Sequence, residues 1–358
     1  MKRIRQLDSV RGVAVLLVLI HNTDIYPSLH LGFIANNGWM GVDLFFVLSG
    51  FLITGILVDT KKSSGYFKNF YTRRCLRIWP LYITALLFMF VAVPLLRPSD
   101  AQSVFGPRSA PWWAFPLFLQ NFLVRIPTQA TGLLGVSWSL AVEEQFYLAW
   151  PLVVRFCSES RLQKISLGVI VLSPVLRLCL LPYGINEYSN TFCRLDGLMA
   201  GALLAVLVRS SSFIPSRFVK AAWATLLTSA PLALIMEMLQ QRWIVFSLVA
   251  LASAAFVYLA IFSEDRLLQA VLNSRFLVYT GTVSFGIYLL EKIPLDAVRA
   301  FNLEQHPLVA FLATTAMTYA MAALSWNLLE RPFLRLKRLF EESATLRNLQ
   351  PEAIVKPT

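Results

Sequence analysis

Ten apolar segments dominate the sequence, and each is close to the roughly 20 residues that an α-helix needs to cross a bilayer. Only 15% of the 358 residues are charged, whereas a soluble domain carries about 25%. This composition excludes an ordinary soluble enzyme, a disordered chain and a secreted disulfide scaffold. We therefore predict an all-α, polytopic membrane protein with about ten transmembrane helices. The predicted spans are approximately 10–26, 38–58, 79–96, 137–157, 165–182, 191–208, 218–239, 243–262, 277–294 and 307–329.

Basic residues predict the orientation of the chain. The formal net charge is +12, and most Lys and Arg residues lie at the amino terminus, in alternate loops and in the carboxyl-terminal tail. Loops rich in Lys and Arg stay in the cytoplasm, so we expect both termini there and a multi-pass protein of the cytoplasmic (inner) membrane. This topology explains the basic residues without a nucleic-acid partner. We expect a membrane domain over residues 1–335 and a short cytoplasmic tail over 336–358.

Cysteine and histidine are too sparse to indicate a metal centre. The four cysteines are widely spaced, with no Cys-x-x-Cys pair, and the chain has three histidines. Metal sites take several Cys or His ligands at characteristic spacings. We expect no bound metal or cofactor, and the search for a catalytic base narrows to His21, the histidine inside a predicted span.

Ionisable residues inside the predicted spans are functional candidates by default, because a charge is costly there. Some have a structural interpretation instead, since Arg194 and Asp196 could form an ion pair between helices. Buried ion pairs often stabilise a protein no better than apolar replacements do, so packing alone does not explain so many ionisable residues in the spans. Their number favours a polar, water-accessible interior. These residues are Arg11, His21, Asp43, Glu143, Glu144, Arg177, Arg194, Asp196, Glu291 and Glu330.

Three of these residues predict a catalytic group on the first two spans. Arg11 and His21 are ten residues apart, about 15 Å along a helix axis, so both could face one cavity at different depths. Asp43 follows a short outer loop and could lie beside His21. A carboxylate next to an imidazole raises its basicity and fixes its tautomer, as a general base requires. The alternative for His21 is a residue at a helix end in the outer interface.

A cluster of arginines precedes the third predicted span. Arg74 and Arg77 share a helix face because they are three residues apart, and Arg73 adjoins them. Guanidinium groups bind phosphate through paired hydrogen bonds, although a cytoplasmic anchor that follows the positive-inside rule explains the same residues. A cytoplasmic anchor does not explain Glu143 and Glu144, because an anchor would not open a span with two adjacent carboxylates.

Several motifs together resemble the integral-membrane acyltransferase 3 family. The resemblance runs in order from about residue 4 to residue 335, and His21 follows its first motif. The motifs are LDSVRG at 7–12, GWMGVDLFFVLSGFLI at 38–53, RCLRIWP at 74–80, SWSLAVEEQFY at 137–147, RLDG at 194–197, SFGIYL at 284–289 and ERPF at 330–333.

The resemblance implies a function and roles for particular residues. Members of that family are ten-helix proteins that move acyl groups, most often acetyl from acetyl-CoA, onto hydroxyl groups of sugars or other extracytoplasmic acceptors. It implies an O-acyltransferase with acyl-CoA as co-substrate and a carbohydrate or glycoconjugate as acceptor. His21 corresponds to the family's essential histidine, Arg11 to its upstream arginine and Asp43 to the acid of the second span. Arg74 and Arg77 correspond to the paired arginines and, with the adjoining arginine, are the acyl-CoA-binding candidates.

Further residues are expected to face the acceptor or the cavity. They are Ser139, Glu143, Glu144, Gln145, Tyr147, Arg194, Asp196, Tyr288, Glu291 and Glu330. At one of them the chain departs from the family pattern, which ends the ninth span with Tyr-Leu-x-His, whereas this chain has Glu291 in place of the histidine. We expect that change to alter acceptor preference or to reduce activity. Some relatives carry a carboxyl-terminal hydrolase-like domain, and we expect a stand-alone form here.

The expected mechanism depends on His21. His21 would be the general base toward the acceptor hydroxyl, Asp43 would orient it, and Arg11 or a helix dipole would stabilise the oxyanion. Direct transfer and a transient acyl group on His21 both stay open.

The alternative class of function is a secondary transporter of a sugar-linked or acidic solute, because intramembrane charges also mark substrate pathways. A third interpretation, based on Glu291, is a degenerate acyltransferase that acts as a sensor or scaffold.

Overall fold

The structure, a computed structural model, describes residues 4–23, 32–96, 110–123 and 132–336, and within these ranges all regular elements are helical. The α-helices in chain order are α1 (Arg5–Asn22), α2 (Gly32–Asn37), α3 (Met40–Asp59), α4 (Tyr66–Leu87), α5 (Val93–Leu96), α6 (Gln120–Leu123), α7 (Trp138–Phe156), α8 (Glu159–Leu180), α9 (Thr191–Leu207), α10 (Pro215–Met238), α11 (Arg242–Phe262), α12 (Arg266–Leu272), α13 (Arg275–Thr282), α14 (Ser284–Leu290), α15 (Lys292–Ala300), α16 (Pro307–Ser325) and α17 (Arg331–Leu336). Short 3₁₀ turns lie at Trp112–Ala114, Gly132–Ser137, Leu181–Tyr183 and Leu303–Gln305, and π turns at Phe88–Ala92 and Trp326–Glu330.

Six helical segments of the described chain are long and apolar enough to cross a membrane. They are Met40–Asp59, Tyr66–Leu95, Glu159–Tyr183, Pro215–Met238, Arg242–Phe262 and Pro307–Leu336. The all-α prediction is confirmed for the described residues, and the protein is a multi-pass membrane protein. Ten as the number of spans, and the cytoplasmic placement of the termini, stay predictions. The predicted tail over 336–358 lies outside the described residues except for Leu336.

The ninth predicted span, 277–294, is not one helix. The structure divides this region into α13, α14 and α15, with breaks at Val283 and Glu291. Pro294 explains the second break, because its nitrogen carries no hydrogen and cannot bond to the carbonyl of Leu290, four residues earlier. Gly281, next to the first break, weakens helix formation by about 1 kcal/mol relative to alanine.

Four helix starts are fixed by polar caps. The side chains of Ser158, Asn190, Asp265 and Ser274 accept hydrogen bonds from backbone N–H groups in the first turns of α8, α9, α12 and α13. Each cap satisfies a donor that the helix itself leaves free, and such caps are typically worth about 1 kcal/mol. The caps therefore determine where these helices begin, although their interiors are largely apolar.

Helices α8 and α10 lie at the periphery of the bundle. They expose large apolar side chains, among them Leu167, Val171, Leu172, Leu227 and Ile235. Helices that are apolar on their outward face are typical of membrane spans. Helices α3 and α11, by contrast, are mostly buried within the protein. The bundle thus has an inner layer around α3 and an outer layer that faces lipid.

Helices α3 and α9 pack backbone against backbone at two glycines. A Cβ atom on Gly50 would collide with the carbonyl oxygen of Leu198, and one on Gly201 would collide with the carbonyl oxygen of Val47. Small residues allow this close approach between membrane helices. The contact holds α9 against the middle of α3, which lines the cavity described below.

We predict that Gly201→Ala destabilises the protein by about 1–3 kcal/mol, as expected for overpacking. Gly168→Ala is the matched control, because a Cβ there meets no atom within 4 Å on the exposed side of α8. Removing that glycine should leave stability unchanged or raise it by up to about 1 kcal/mol. Thermal unfolding of the purified proteins in detergent measures both changes. Equal behaviour of the two variants would contradict the close contact between α3 and α9.

Candidate active site

A cavity of about 880 Å³, including the part open to solvent, lies between α1, α3, α4, α7 and α14. Its polar lining residues are Arg11, Ser49, Arg74, Arg77, Ser139, Glu143, Tyr147, Ser284 and Tyr288. Its apolar lining residues are Val42, Phe45, Phe46, Leu52, Ile53, Ile78, Leu140, Phe285 and Leu289. The structure therefore brings together residues that sequence analysis selected from four separate motifs.

The cavity is elongated along α3. Val42 and Ile53 both line it, and these positions are eleven residues apart, which corresponds to about 16 Å of helix. One end, which we call the arginine end, contains Arg74 and Arg77. The other, which we call the Tyr288 end, contains Val42 and Tyr288.

The guanidinium group of Arg74, at the arginine end, lies beside two aromatic rings. The guanidinium carbon of Arg74 lies 5.6 Å from the ring centroid of Tyr147 and 5.9 Å from that of Phe70. Arg11, further along the cavity, forms an ion pair with Asp8 at 2.9 Å. Arg77 also faces the cavity. Such a concentration of positive charge suits an anionic ligand, and guanidinium groups are the usual partners of phosphate.

Arg73 is not among the residues that line the cavity. The arginines lie inside α4, which continues through Pro80 to Leu87, rather than ahead of the third span. Arg73 and Arg74 point about 100° apart around the helix, with Arg77 between them, and the cavity lies on the side of Arg74. Of the three arginines predicted to bind acyl-CoA, two therefore line the cavity.

Glu143 is fixed in the cavity wall by two hydroxyl groups. The Ser49 hydroxyl donates a hydrogen bond to Glu143 Oε1 at 2.6 Å, and the Tyr147 hydroxyl donates to Oε2 at 2.9 Å. Hydrogen bonds to a carboxylate are among the stronger ones in proteins. Sequence analysis did not select Ser49, although it is a polar residue within an apolar span and within one of the quoted motifs.

Glu144 and Gln145 do not line the cavity. Gln145 donates hydrogen bonds to the carbonyl of Phe118 and to Asn121 Oδ1, at 2.6 and 2.9 Å. Thr191 in turn donates to Gln145 Oε1. Gln145 therefore ties the segment before α7 to the start of α9, which is a structural position.

At the Tyr288 end, hydrogen bonds join α14 to the start of α7. The Tyr288 hydroxyl donates to the carbonyl of Val136 at 2.7 Å and lies 2.6 Å from the hydroxyl of Ser139. Because the single hydroxyl hydrogen of tyrosine is used on Val136, the Ser139 hydroxyl donates to Tyr288.

His21 lies beyond the Tyr288 end and does not line the cavity. A Cβ atom on Gly38, about one helical turn before Val42, would be 2.9 Å from the Cβ of His21. The ring Nδ1 of His21 is 2.6 Å from the carbonyl oxygen of Ala35. A carbonyl only accepts hydrogen bonds, so Nδ1 carries the hydrogen and Nε2 keeps a free lone pair in the neutral ring.

Glu291 lies next to this histidine. Asn22, which follows His21 in the chain, donates a hydrogen bond to Glu291 Oε1. The other carboxylate oxygen of Glu291 is buried without a hydrogen-bond partner among the described residues. The position at which the family pattern has a histidine is therefore close to His21 in space.

Asp43 pairs with Arg194 rather than with His21, which corrects the expected histidine–aspartate pair. The two side chains form a fully buried ion pair at 2.8 Å, and no hydrogen bond or ion pair within the described chain joins Asp43 to His21. The Arg194 guanidinium carbon also lies 4.0 Å from the ring centroid of Phe246. The orienting group for His21 is the carbonyl of Ala35.

Two further expectations are corrected by this network. Arg194 does not pair with Asp196; instead Arg177 donates to Asp196 at 2.9 Å, and Ser247 donates to the same carboxylate oxygen at 2.6 Å. Arg11, about 15 Å along α1 from His21, is too distant to stabilise an oxyanion beside that histidine.

Glu330 does not line the cavity and is buried at the π turn that follows α16. The Ser325 hydroxyl donates a hydrogen bond to it at 3.0 Å. A hydroxyl bonded to a carboxylate one turn away fixes the local backbone, and π turns are frequent at functional sites. Among the described residues, no group of three or more His, Cys, Asp and Glu side chains is placed to hold a metal ion.

The fold and the cavity define a helical membrane protein with two cavity-lining arginines, Arg74 and Arg77, beside a third, Arg11. The family model of the acyltransferase 3 domain matches residues 4–326. The chain therefore belongs to this acyltransferase family, as its motifs predict. No solved structure matches the chain.

The curated relatives that match the chain are named as O-acetyltransferases. The chain is 27% identical over 361 residues to the "Putative O-acetyltransferase SACOL0978" of Staphylococcus aureus strain COL, and the match covers 93% of this chain and 58% of that protein. It is also 27% identical over 363 residues to the peptidoglycan O-acetyltransferase OatA of Listeria monocytogenes, covering 92% of this chain and 56% of that protein. The chain thus spans little more than half the length of these relatives.

We predict that Asp43→Asn acts mainly on stability. It leaves Arg194 as a buried charge without its carboxylate, and such a loss costs about 3–5 kcal/mol. Glu237→Gln is the control, because its partner Arg242 is 53% exposed and surface pairs are worth about 0–1 kcal/mol. Thermal unfolding in detergent measures both. Normal stability of Asp43→Asn together with lost acyl transfer would show that Asp43 acts on the chemistry instead.

Proposed function

We propose that this protein is a cytoplasmic-membrane O-acyltransferase that moves an acyl group, acetyl above all, from acyl-CoA to a hydroxyl of an extracytoplasmic carbohydrate or glycoconjugate. The observation that carries the proposal is the elongated cavity, which has Arg74 and Arg77 at one end and His21 just beyond the other. Acyl-CoA has the same polarity, with phosphates at one end and a thioester at the other.

The positive-inside pattern supports an orientation for this ligand. It favours a cytoplasmic position for the amino-terminal end of α1 and for the arginine end of the cavity, on the side where acyl-CoA is found. Arg74 and Arg77 would bind the phosphates through paired hydrogen bonds, and Arg11 adds positive charge further along. The apolar wall, which includes Phe45 and Phe285, suits the pantetheine arm. In this orientation both chain termini are cytoplasmic and about ten segments cross the membrane.

His21 is the proposed general base. Its neutral ring, held by Ala35, presents the Nε2 lone pair to the acceptor hydroxyl and takes its proton as the oxygen attacks the thioester carbonyl. The carbon–sulfur bond then breaks, and the CoA thiolate receives the proton from the imidazolium. The products are the O-acyl ester and free CoA thiol. The hydrogen bond at Nδ1 keeps the ring in the required tautomer throughout.

The acceptor would approach from the side of the bundle opposite the arginine end. The relative from Listeria is named for O-acetylation of peptidoglycan, and we propose a sugar hydroxyl as the acceptor of this chain. Glu291 and Asn22, which are bonded to each other beside His21, would contact that sugar. Carboxylate and amide groups are suitable partners for sugar hydroxyls.

We predict that His21→Ala lowers acyl transfer by about 10²–10⁴-fold, the usual contribution of a general base. His306→Ala is the matched control, because His306 is an exposed residue that caps a 3₁₀ turn. The measurement is CoA thiol release from acetyl-CoA in the presence of acceptor, at equal membrane abundance. A near-normal rate for His21→Ala would exclude His21 as the base.

We predict that Arg74→Lys with Arg77→Lys weakens acetyl-CoA binding and leaves membrane insertion intact. Lysine keeps the positive charge but loses the planar fork that binds phosphate through two hydrogen bonds. The double change Arg161→Lys with Arg217→Lys is the control, because both arginines are exposed at helix starts outside the cavity. Binding to detergent-solubilised protein is measured by titration calorimetry. Equal affinity of all three proteins would leave Arg74 and Arg77 as topological anchors.

A further inference from the structure

A small set of hydrogen bonds lies at the Tyr288 end of the cavity. Tyr288 bonds to the carbonyl of Val136 and to the hydroxyl of Ser139, at 2.7 and 2.6 Å. Val136 and Ser139 are each 7% exposed. The ring of Phe45 lies beside that of Tyr288, with centroids 6.3 Å apart. Phe45, Ser139 and Tyr288 thus lie together in the lining of this end.

Helix α14 leads from the cavity toward His21. Phe285, Tyr288 and Leu289 of α14 line the cavity, whereas Glu291, two residues further on, bonds to the neighbour of His21. Along α1 the order is the same, with Arg11 at the cavity and Asn22 at Glu291. Tyr288 therefore lies between the proposed donor site and the proposed base.

The helix that carries Tyr288 is short and separately bounded. Helix α14 has seven residues, from Ser284 to Leu290, between the breaks at Val283 and Glu291. The two breaks interrupt the backbone ladder only in part, because the N–H of Val283 still donates to the carbonyl of Tyr279 and that of Glu291 to Ile287. Hinges are often a few residues at the ends of helices, and Val283 and Glu291 are residues of that kind.

We propose that Tyr288 is a positioning residue that controls passage of the acyl group from the cavity to His21. The inference rests on the proposed function. With Tyr288 bonded to Val136 and Ser139, the thioester stays in the cavity and is shielded from water on the far side. When the two hydrogen bonds open, the thioester reaches His21 and the acceptor. Exclusion of water before transfer limits wasteful hydrolysis of the donor.

The test measures access to the cavity directly, so it does not depend on turnover. Ser49→Cys places a thiol in the cavity, in a protein whose four natural cysteines are replaced by serine. In sealed right-side-out vesicles, a membrane-impermeant maleimide reports how often the Tyr288 end opens. The variants are Tyr288→Phe, which keeps the ring and removes both hydrogen bonds, and Tyr319→Phe. The latter removes a comparable hydroxyl contact, with Thr280 at 2.9 Å, away from the cavity.

We expect Tyr288→Phe to raise the labelling rate of the thiol at position 49 about tenfold, an effect of the size expected when hydrogen bonds that hold a closed state are lost. Tyr319→Phe should not change that rate. Equal labelling with and without the Tyr288 hydroxyl, or rapid labelling while it is present, would overturn the proposal.

Acetyl-CoA turnover, measured in parallel with Ser49 intact, tests the proposed function separately. If labelling changes as expected but even the unaltered protein releases no CoA thiol, the barrier at Tyr288 stands and the acyltransferase proposal fails. If CoA thiol is released normally but labelling does not respond to Tyr288→Phe, the acyltransferase stands and the barrier is excluded.

Discussion

The buried ion pair between Arg194 and Asp43 determines how the inner layer of the bundle is assembled. A charge without a partner is very costly inside a membrane protein, so this pair fixes α9 against α3. The glycine contacts at Gly50 and Gly201 require the same close approach. A second pair, between Arg177 and Asp196, ties α8 to α9. These interactions hold α3 at the centre of the bundle, with one face free to line the cavity.

The arrangement of the site follows from that central helix. Because α3 forms one wall over about 16 Å of its length, residues from α4 and α7 meet it at the arginine end and residues from α14 meet it at the Tyr288 end. Arg74 and Arg77 lie outside the buried ion pairs and face the cavity. His21 and Glu291 lie beyond it, so the proposed donor site and the proposed acceptor site are different places. Tyr288 is the residue that we propose as the boundary between them.

Sequence reasoning selected most of the polar residues that line the cavity, because their signals are local. Arg74 and Arg77 share a helix face by their spacing, and Glu143 belongs to one motif. The role of His21, the histidine within a predicted span, stays a prediction. The partner of Asp43 was not predictable, since Arg194 is 151 residues away in the chain and the pairing depends on how α3 and α9 pack. The expected pair with His21 was therefore wrong, and a backbone carbonyl, which no side-chain pattern reveals, takes its place. Apolar length likewise predicted the helical architecture but also made 277–294 look like one span. A helix break depends on a few backbone hydrogen bonds, to which a hydropathy average is insensitive.

The most direct test of this account is an experimental structure of the protein with a non-hydrolysable acetyl-CoA analogue. The account predicts phosphate density within hydrogen-bonding distance of Arg74 and Arg77, with the pantetheine arm along α3 and the thioester mimic next to Nε2 of His21. In that complex the Tyr288 hydroxyl should have left Val136. Phosphates bound at the Tyr288 end, or an analogue bound outside the cavity, would contradict it.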